Sequence, residues 1–121
     1  MRMKKHNIAL TYEPKIEAVL DGRCRQTIRR GRKYKVNDFI TIIRTPQGFS
    51  PQYQLVDVID VVVDKQKGFL IFEKWYSWDS QTVTKLAEMD YIDPPCGEKL
   101  KRVLYGYYPK QDRFEAQIIR W

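Results

Sequence analysis

The sequence is poor in the residues that most often bind metals or act as activated nucleophiles. It has one histidine, His6, and two cysteines, Cys24 and Cys96. The usual zinc sites take about four nitrogen or sulfur ligands, so we expect neither a metal nor a cofactor. Two cysteines so far apart also do not indicate a disulfide framework.

The chain lacks a long apolar run as well. Its most apolar stretch, residues 55–63, is interrupted by Asp57 and Asp60, whereas a membrane-spanning helix takes about 20 apolar residues. The basic N-terminus precedes an apolar segment that is too short for a secretory signal. We therefore expect a cytoplasmic monomer without a membrane partner, and a length of 121 residues predicts a single domain over 1–121.

Positive charge is concentrated in residues 22–35, which we call the basic segment. The chain has 22 basic and 15 acidic residues, and the basic segment holds seven of the basic ones and no acid. Clustered cations bind phosphates with release of counterions, so the segment favours nucleic acid as its ligand; the alternative is a solvated face that maintains solubility. The predicted nucleic-acid-binding residues are Arg23, Arg25, Arg29, Arg30, Arg32, Lys33 and Lys35.

Hydrophobic patterning predicts an α+β fold. Alternating and β-branched runs indicate about six strands, near residues 7–12, 24–29, 38–45, 52–63, 69–72 and 114–120. Three short helices are predicted over 15–20, from 79 or 80 to about 89, and over 97–107. This uneven order is typical of a small sheet that is closed or nearly closed.

Three aromatic residues, Trp75, Tyr76 and Trp78, precede the second predicted helix. Aromatic side chains stack on unpaired bases, but a cluster this dense more often packs in a core. Both interpretations stay open, with core packing favoured.

The junction between the first predicted helix and the following strand resembles the ASCH family. Members commonly have a short helix, then Gly-x-Lys-x-x-Thr-x-Arg, then a turn that ends near Gly-Asp. Gly22, Thr27 and Arg29 match this motif, and Asn37 stands where the second glycine is usual. Weaker matches at residues 86–91 and 107–120 extend the resemblance over nearly the whole chain. It implies a small PUA-like β-barrel, a cleft between barrel and helices, and binding of RNA or a nucleotide, with single-stranded RNA favoured.

The resemblance also bears on catalysis. Some members cleave RNA, and one group deacetylates acetylcytidine nucleosides with a lysine, a threonine and an acid. These positions correspond here to Cys24, Thr27 and Asp90. A thiol cannot supply the positive charge of that lysine, and no histidine is suitably placed to activate it.

We therefore expect a binding domain and assign no catalytic residue. A hydrolase acting on RNA or a modified nucleoside, or an interaction protein with an acidic partner, remain alternatives. Thr27, Arg29 and Asp90 are predicted to line the ligand cleft. Arg29 either binds a phosphate or pairs with Asp90, and Asp90 either serves the site or simply ends its helix.

Overall fold

The computed structural model describes residues 2–121, which form three helices and eight strands arranged in two sheets. The helices are α1 (Glu13–Leu20), α2 (Gln81–Met89) and α3 (Gly97–Tyr107). The strands are β1 (Lys5–Ala9), β2 (Gln26–Arg30), β3 (Phe39–Ile43), β4 (Gln52–Gln54), β5 (Asp57–Asp64), β6 (Gly68–Ile71), β7 (Lys74–Tyr76) and β8 (Arg113–Arg120). The α+β expectation is confirmed.

The two sheets differ in size and in strand direction. The larger has the order β2-β8-β5-β6-β7, and all its neighbouring strands are antiparallel. The smaller has the order β1-β3-β4, in which β1 and β3 are parallel. Residues 2–121 thus contain eight strands in two sheets where about six in one closed sheet were expected. Within the same residues, no helix has both the length and the apolar character needed to cross a membrane.

Strand β8 lies between two apolar cores, and each of its two faces contributes side chains to one of them. Phe114, Ala116 and Ile118 belong to the first core, together with side chains of α2 and α3. Ile119 belongs to the second core, together with side chains of α1 and the smaller sheet. Since successive side chains of a strand point to opposite faces, the larger sheet is a middle layer. Helices α2 and α3 cover one face, and α1 and the smaller sheet cover the other.

The prediction of a single strand over 52–63 is wrong, because the structure has two strands there, β4 and β5, that belong to different sheets. The chain changes sheets at two adjacent residues. The Leu55 N–H donates to the carbonyl of Asp38 at 2.8 Å, whereas the Val56 N–H donates to the carbonyl of Arg120 on β8 at 2.9 Å. Apolar residues continue through the crossing, so the pattern gives no sign of it.

The aromatic cluster divides between the core and a strand that the pattern did not predict. Trp78 is buried and packs edge-on against Phe69, with ring centroids 5.4 Å apart. Trp75 and Tyr76 lie on β7 and are half-buried. The structure therefore places the most buried of the three side chains in the first core.

Helix α3 is positioned by a close approach at its first residue. A Cβ on Gly97 would lie 1.5 Å from the carbonyl oxygen of Trp78, so only glycine allows this contact. The preceding helix, α2, is capped at its N-terminus by Ser80, whose hydroxyl accepts a hydrogen bond from the Val83 N–H at 3.3 Å. These local contacts fix the starts of α2 and α3.

Candidate functional site

A cavity of about 680 Å³ lies where the end of β1, α1, β2, the end of α2 and one side of α3 meet. Three of the polar side chains that line it are buried, namely Lys15, Thr27 and Asp90. We call these three the polar floor. Lys15 comes from α1, Thr27 from β2, and Asp90 from the residue after α2, so the floor forms only when the three elements pack together.

The ammonium group of Lys15 joins the members of the polar floor. Its Nζ donates to Thr27 Oγ1 at 3.3 Å and to Asp90 Oδ2 at 3.0 Å. The Lys15 and Asp90 side chains are only 10% and 8% exposed, so this ion pair is removed from bulk water. Because the Thr27 oxygen accepts from Lys15, its own hydroxyl hydrogen is free to donate to a ligand.

The turn at the end of α2 holds Asp90 in place. Asp90 is the C-cap residue, the Tyr91 N–H donates to the Glu88 carbonyl, and the Ile92 N–H donates to the Ala87 carbonyl. These two bonds make a Schellman motif, in which glycine usually follows the cap. Tyr91 occupies that position with a φ of 61°, which costs a residue other than glycine about 1–2 kcal/mol. Its side chain lines the cavity, so the strained position supplies an aromatic wall.

Asp90 has an unusual electrostatic environment. Burial raises the pKa of its carboxyl group, while the charge and hydrogen bond of Lys15 oppose the rise. Its second oxygen, Oδ1, is buried and has no hydrogen-bond partner among residues 2–121. The side chain of Gln26 also opposes the rise in the pKa of Asp90, and leaving a buried carboxylate oxygen without a donor costs free energy.

Lys15 is the site residue that the sequence reasoning missed. The resemblance to the ASCH family puts a lysine at the position of Cys24, whereas the amine beside Thr27 in the structure comes from the first turn of α1. A signal was present, because Lys15 lies three and four residues before Ala18 and Val19, which form the buried face of the helix. A lysine on such a face is an exception that indicates a buried partner.

Cys24 behaves as a core residue. It is 1% exposed and belongs to the second core, and its thiol donates to the carbonyls of Gln26 and Met89. Burial raises the pKa of the thiol, which disfavours the nucleophilic thiolate. It is not among the residues that line the cavity.

Cationic and aromatic side chains surround the polar floor. Arg29 and Lys99 are half-buried and Arg102 is exposed. None of these three forms an ion pair with a carboxylate in the chain that the structure describes, 2–121. Asp93 is the one further acid that lines the cavity within those residues. The aromatic lining consists of Tyr12, Tyr91, Tyr107 and Tyr108.

The predicted cleft residues meet in this cavity. Thr27, Arg29 and Asp90 all line it. Of the two roles considered for Arg29, the ion pair with Asp90 is not formed, since the carboxylate pairs with Lys15. Asp90 ends its helix and also lines the cavity; its role in a ligand site stays a prediction.

The basic segment does not gather around one site. Arg29 lines the cavity, whereas Arg25 lines a separate groove. Arg32 pairs with Asp60 at 3.3 Å and with Glu115 at 3.5 Å. Arg23 and Arg30 do not line the cavity but contact two tyrosines that do. Arg23, which pairs with Asp21, donates to the Tyr91 hydroxyl, and Arg30 lies over the Tyr108 ring. Lys33 lies over the Tyr34 ring, and Lys35 is exposed. Their role in binding nucleic acid stays a prediction.

Comparisons of the chain with protein-family models, with curated proteins and with solved structures find no match. Within residues 2–121 there is no group of three or more His, Cys, Asp or Glu side chains arranged to hold a metal ion. The case for function therefore depends on the cavity itself.

Proposed function

We propose that the cavity binds a nucleotide, either free or within RNA. The observation that carries the proposal is the buried Oδ1 of Asp90, which has no hydrogen-bond partner among residues 2–121 and belongs to a group that lines the cavity. The neighbouring hydroxyl of Thr27 can donate while Oδ1 accepts. A nucleobase edge offers both an N–H donor and a ring-nitrogen or carbonyl acceptor, so it complements this pair.

The size and lining of the cavity support the same ligand class. A volume of about 680 Å³ lies within the range of small-molecule sites, which is about 300–1,000 Å³. Tyr91, in the turn after α2, and Tyr107, at the end of α3, both line it. Tyrosine rings provide surfaces on which a planar base can stack.

The charge around the cavity supports a ligand that carries phosphate. Lys15 and Asp90 neutralise each other, so Arg29, Lys99 and Arg102 leave an excess of positive charge that Asp93 only partly offsets. Arginine pairs with phosphate oxygens through two parallel N–H donors. We place the base toward the polar floor and the phosphate toward these three cations.

Calorimetric titration of ribonucleoside 5′-monophosphates and of the matching nucleosides tests the proposal. The monophosphates should bind more tightly than the nucleosides, and added salt should weaken only their binding. Arg102→Gln should reduce monophosphate affinity about tenfold and leave nucleoside affinity unchanged. Lys85→Gln is the matched control, because it removes one charge from an exposed position of α2 that does not line the cavity.

Two results would contradict the proposal. One is the absence of binding by any of the monophosphates. The other is an equal loss of affinity in Arg102→Gln and Lys85→Gln, which would indicate a general effect of net charge rather than a phosphate site.

Hydrolysis of an acylated nucleoside is a second candidate, favoured by the 3.3 Å contact between Lys15 Nζ and Thr27 Oγ1. In this reaction a neutral Lys15 amine takes the Thr27 proton while Oγ1 attacks the acyl carbon. The amine of the nucleoside leaves with that proton, and water then hydrolyses the threonine ester. The mechanism needs a neutral Lys15 amine as a free base, whereas Lys15 Nζ lies 3.0 Å from the Asp90 carboxylate in an ion pair, so binding is the better-supported function.

Acetylcytidine and its absorbance change on deacetylation provide the assay for this second candidate. Turnover should disappear in Thr27→Ala and persist in Thr27→Ser, which keeps a hydroxyl group. Absence of turnover by the wild-type protein would exclude deacetylation of this nucleoside and leave the binding proposal intact.

The proposal extends to family and fold. We propose that the chain is a member of the ASCH family and that its two sheets correspond to a PUA-like barrel. Gly22, Thr27 and Arg29 support membership by their spacing, and the placement of Thr27 and Asp90 beside one cavity supports a shared site. A cytoplasmic location would suit an RNA or nucleotide ligand.

A further inference from the structure

A second concave surface adjoins the cavity. This groove, of about 450 Å³, is lined by Arg25, Tyr53 and Trp121 and by the turn after α1, which contains Asp21 and Gly22. The Tyr53 and Trp121 rings are half-buried, with centroids 6.0 Å apart and planes inclined by 36°. Arg25 is exposed and forms no ion pair with a carboxylate within residues 2–121. The groove thus combines two aromatic rings with an uncompensated guanidinium group.

One side chain links a residue of the groove to a residue of the cavity. Arg23 Nε donates to Asp21 Oδ2 at 2.7 Å, and Arg23 Nη1 donates to the Tyr91 hydroxyl at 3.0 Å. Asp21 lines the groove and Tyr91 lines the cavity. A single guanidinium group, that of Arg23, therefore separates Asp21 of the groove from Tyr91 of the cavity.

We propose that the groove binds the nucleotide next to the one in the cavity, so that the ligand is single-stranded RNA rather than a free nucleotide. This inference rests on the proposed function of the cavity. Tyr53 and Trp121 would stack on the second base, Arg25 would pair with its phosphate, and Arg23 would lie beneath the phosphate that links the two nucleotides. Stacking on aromatic rings, combined with basic side chains along the backbone, is how many proteins bind single strands.

Shape and charge both favour an unpaired nucleotide as the occupant of the groove. Paired bases are hidden within a helix, whereas aromatic rings can stack only on bases that are unpaired. The charge of Asp21 is already neutralised by Arg23, so Arg25 leaves the groove positive. A neutral apolar peptide would leave that guanidinium group without a partner, which favours the phosphate of a nucleic acid.

The test compares a ribonucleoside monophosphate with an RNA tetranucleotide, each titrated into wild-type protein, Trp121→Leu and Arg25→Gln. The tetranucleotide should bind wild-type protein at least about tenfold more tightly than the monophosphate. Trp121→Leu should remove most of that gain, and Arg25→Gln should remove part of it and reduce the salt dependence. Both variants should bind the monophosphate as the wild-type protein does.

Controls keep the two proposals separate. Lys85→Gln removes an exposed charge outside both sites and should lose less tetranucleotide affinity than Arg25→Gln. Arg25 is exposed, so its variant should fold even if Trp121→Leu does not. Failure of wild-type protein to bind the monophosphate would refute the function proposed for the cavity. Normal monophosphate binding with no gain from the tetranucleotide, or with no loss in Arg25→Gln, would overturn the groove inference alone.

Discussion

Replacement of Lys15 by methionine should destabilise the protein, because it leaves Asp90 as a buried carboxylate without its cation. Methionine keeps an unbranched chain of similar length, so the packing of α1 changes little. The Lys15 and Asp90 side chains are 10% and 8% exposed, and their charged atoms are 3.0 Å apart. Removing one partner of a buried pair costs about 3–5 kcal/mol, and we expect a loss of unfolding free energy of about that size at neutral pH.

The loss should depend on pH in a defined direction. Burial raises the pKa of Asp90 and Lys15 opposes that rise, so the pKa should rise further in Lys15→Met. When the pKa of a carboxyl group is higher in the folded state than in the unfolded state, the free energy of unfolding decreases as pH increases above the unfolded pKa of about 3.9. The deficit relative to wild-type protein should therefore be largest at neutral pH. It should narrow on acidification, by at most about 1.4 kcal/mol per pH unit.

Urea denaturation of wild-type protein and Lys15→Met, between about pH 5 and about pH 8, measures both effects. The double variant Lys15→Met/Asp90→Leu is the control, and it should recover most of the stability because it removes both charges. A deficit that stays constant over this pH range, or one below about 1 kcal/mol, would refute the reasoning that these two residues form a buried, mutually dependent ion pair.

Three further predictions concern the framework around the site. Gly97→Ala should lower the free energy of unfolding by about 3 kcal/mol or more, since its Cβ would lie 1.5 Å from the Trp78 carbonyl oxygen. Gly106→Ala in the same helix is the control: its Cβ meets no atom within 4 Å, so it should stabilise the protein by up to about 1 kcal/mol. Thermal unfolding of the two variants measures the difference. Ser80→Ala should cost about 1 kcal/mol in chemical denaturation, because it removes the hydrogen bond to the Val83 N–H; an unchanged midpoint would speak against this cap. Burial alone would raise the pKa of Asp38, but hydrogen bonds from His6 and from the Lys4 and Lys35 N–H groups outweigh it and lower that pKa. The ionised form of Asp38 therefore stabilises the fold above about pH 4, and this contribution is lost as pH falls further. Asp38→Asn should lower the free energy of unfolding by about 2 kcal/mol at neutral pH and should approach wild-type stability in acid. A difference in stability that grows on acidification would contradict this prediction.

Local patterns predicted the helices well because their signals are short in range. Helix α3 has the predicted bounds, 97–107, since prolines lie before it at 94–95 and after it at 109, and its apolar residues repeat with helical spacing. Ser80, one of the two predicted caps, is the N-cap of α2. The resemblance to the ASCH family predicts Thr27 and Asp90 in one cleft, and both line the cavity; that they bind a ligand stays a prediction.

What the sequence could not reveal depends on contacts between distant elements. Lys15 joins residues 12 and 75 positions away in the chain, and no local rule connects them. The passage from β4 to β5 is equally hidden, because Leu55 and Val56 bond to different sheets. The clustering of charge predicts one basic surface over residues 22–35, but a strand sends alternate side chains to opposite faces. Within residues 2–121, Arg29 is the one basic residue of that segment that lines the cavity.

Nuclear magnetic resonance of isotopically labelled protein, titrated with adenosine and cytidine 5′-monophosphates, tests the central claim most directly. If the cavity is the nucleotide site, the largest chemical-shift changes should fall on its lining, with the backbone amides of Thr27, Asp90 and Arg102 among them. Shifts confined to the exposed part of the basic segment, near Arg32 and Lys35, would contradict the account. So would an absence of shifts at ligand concentrations in the millimolar range.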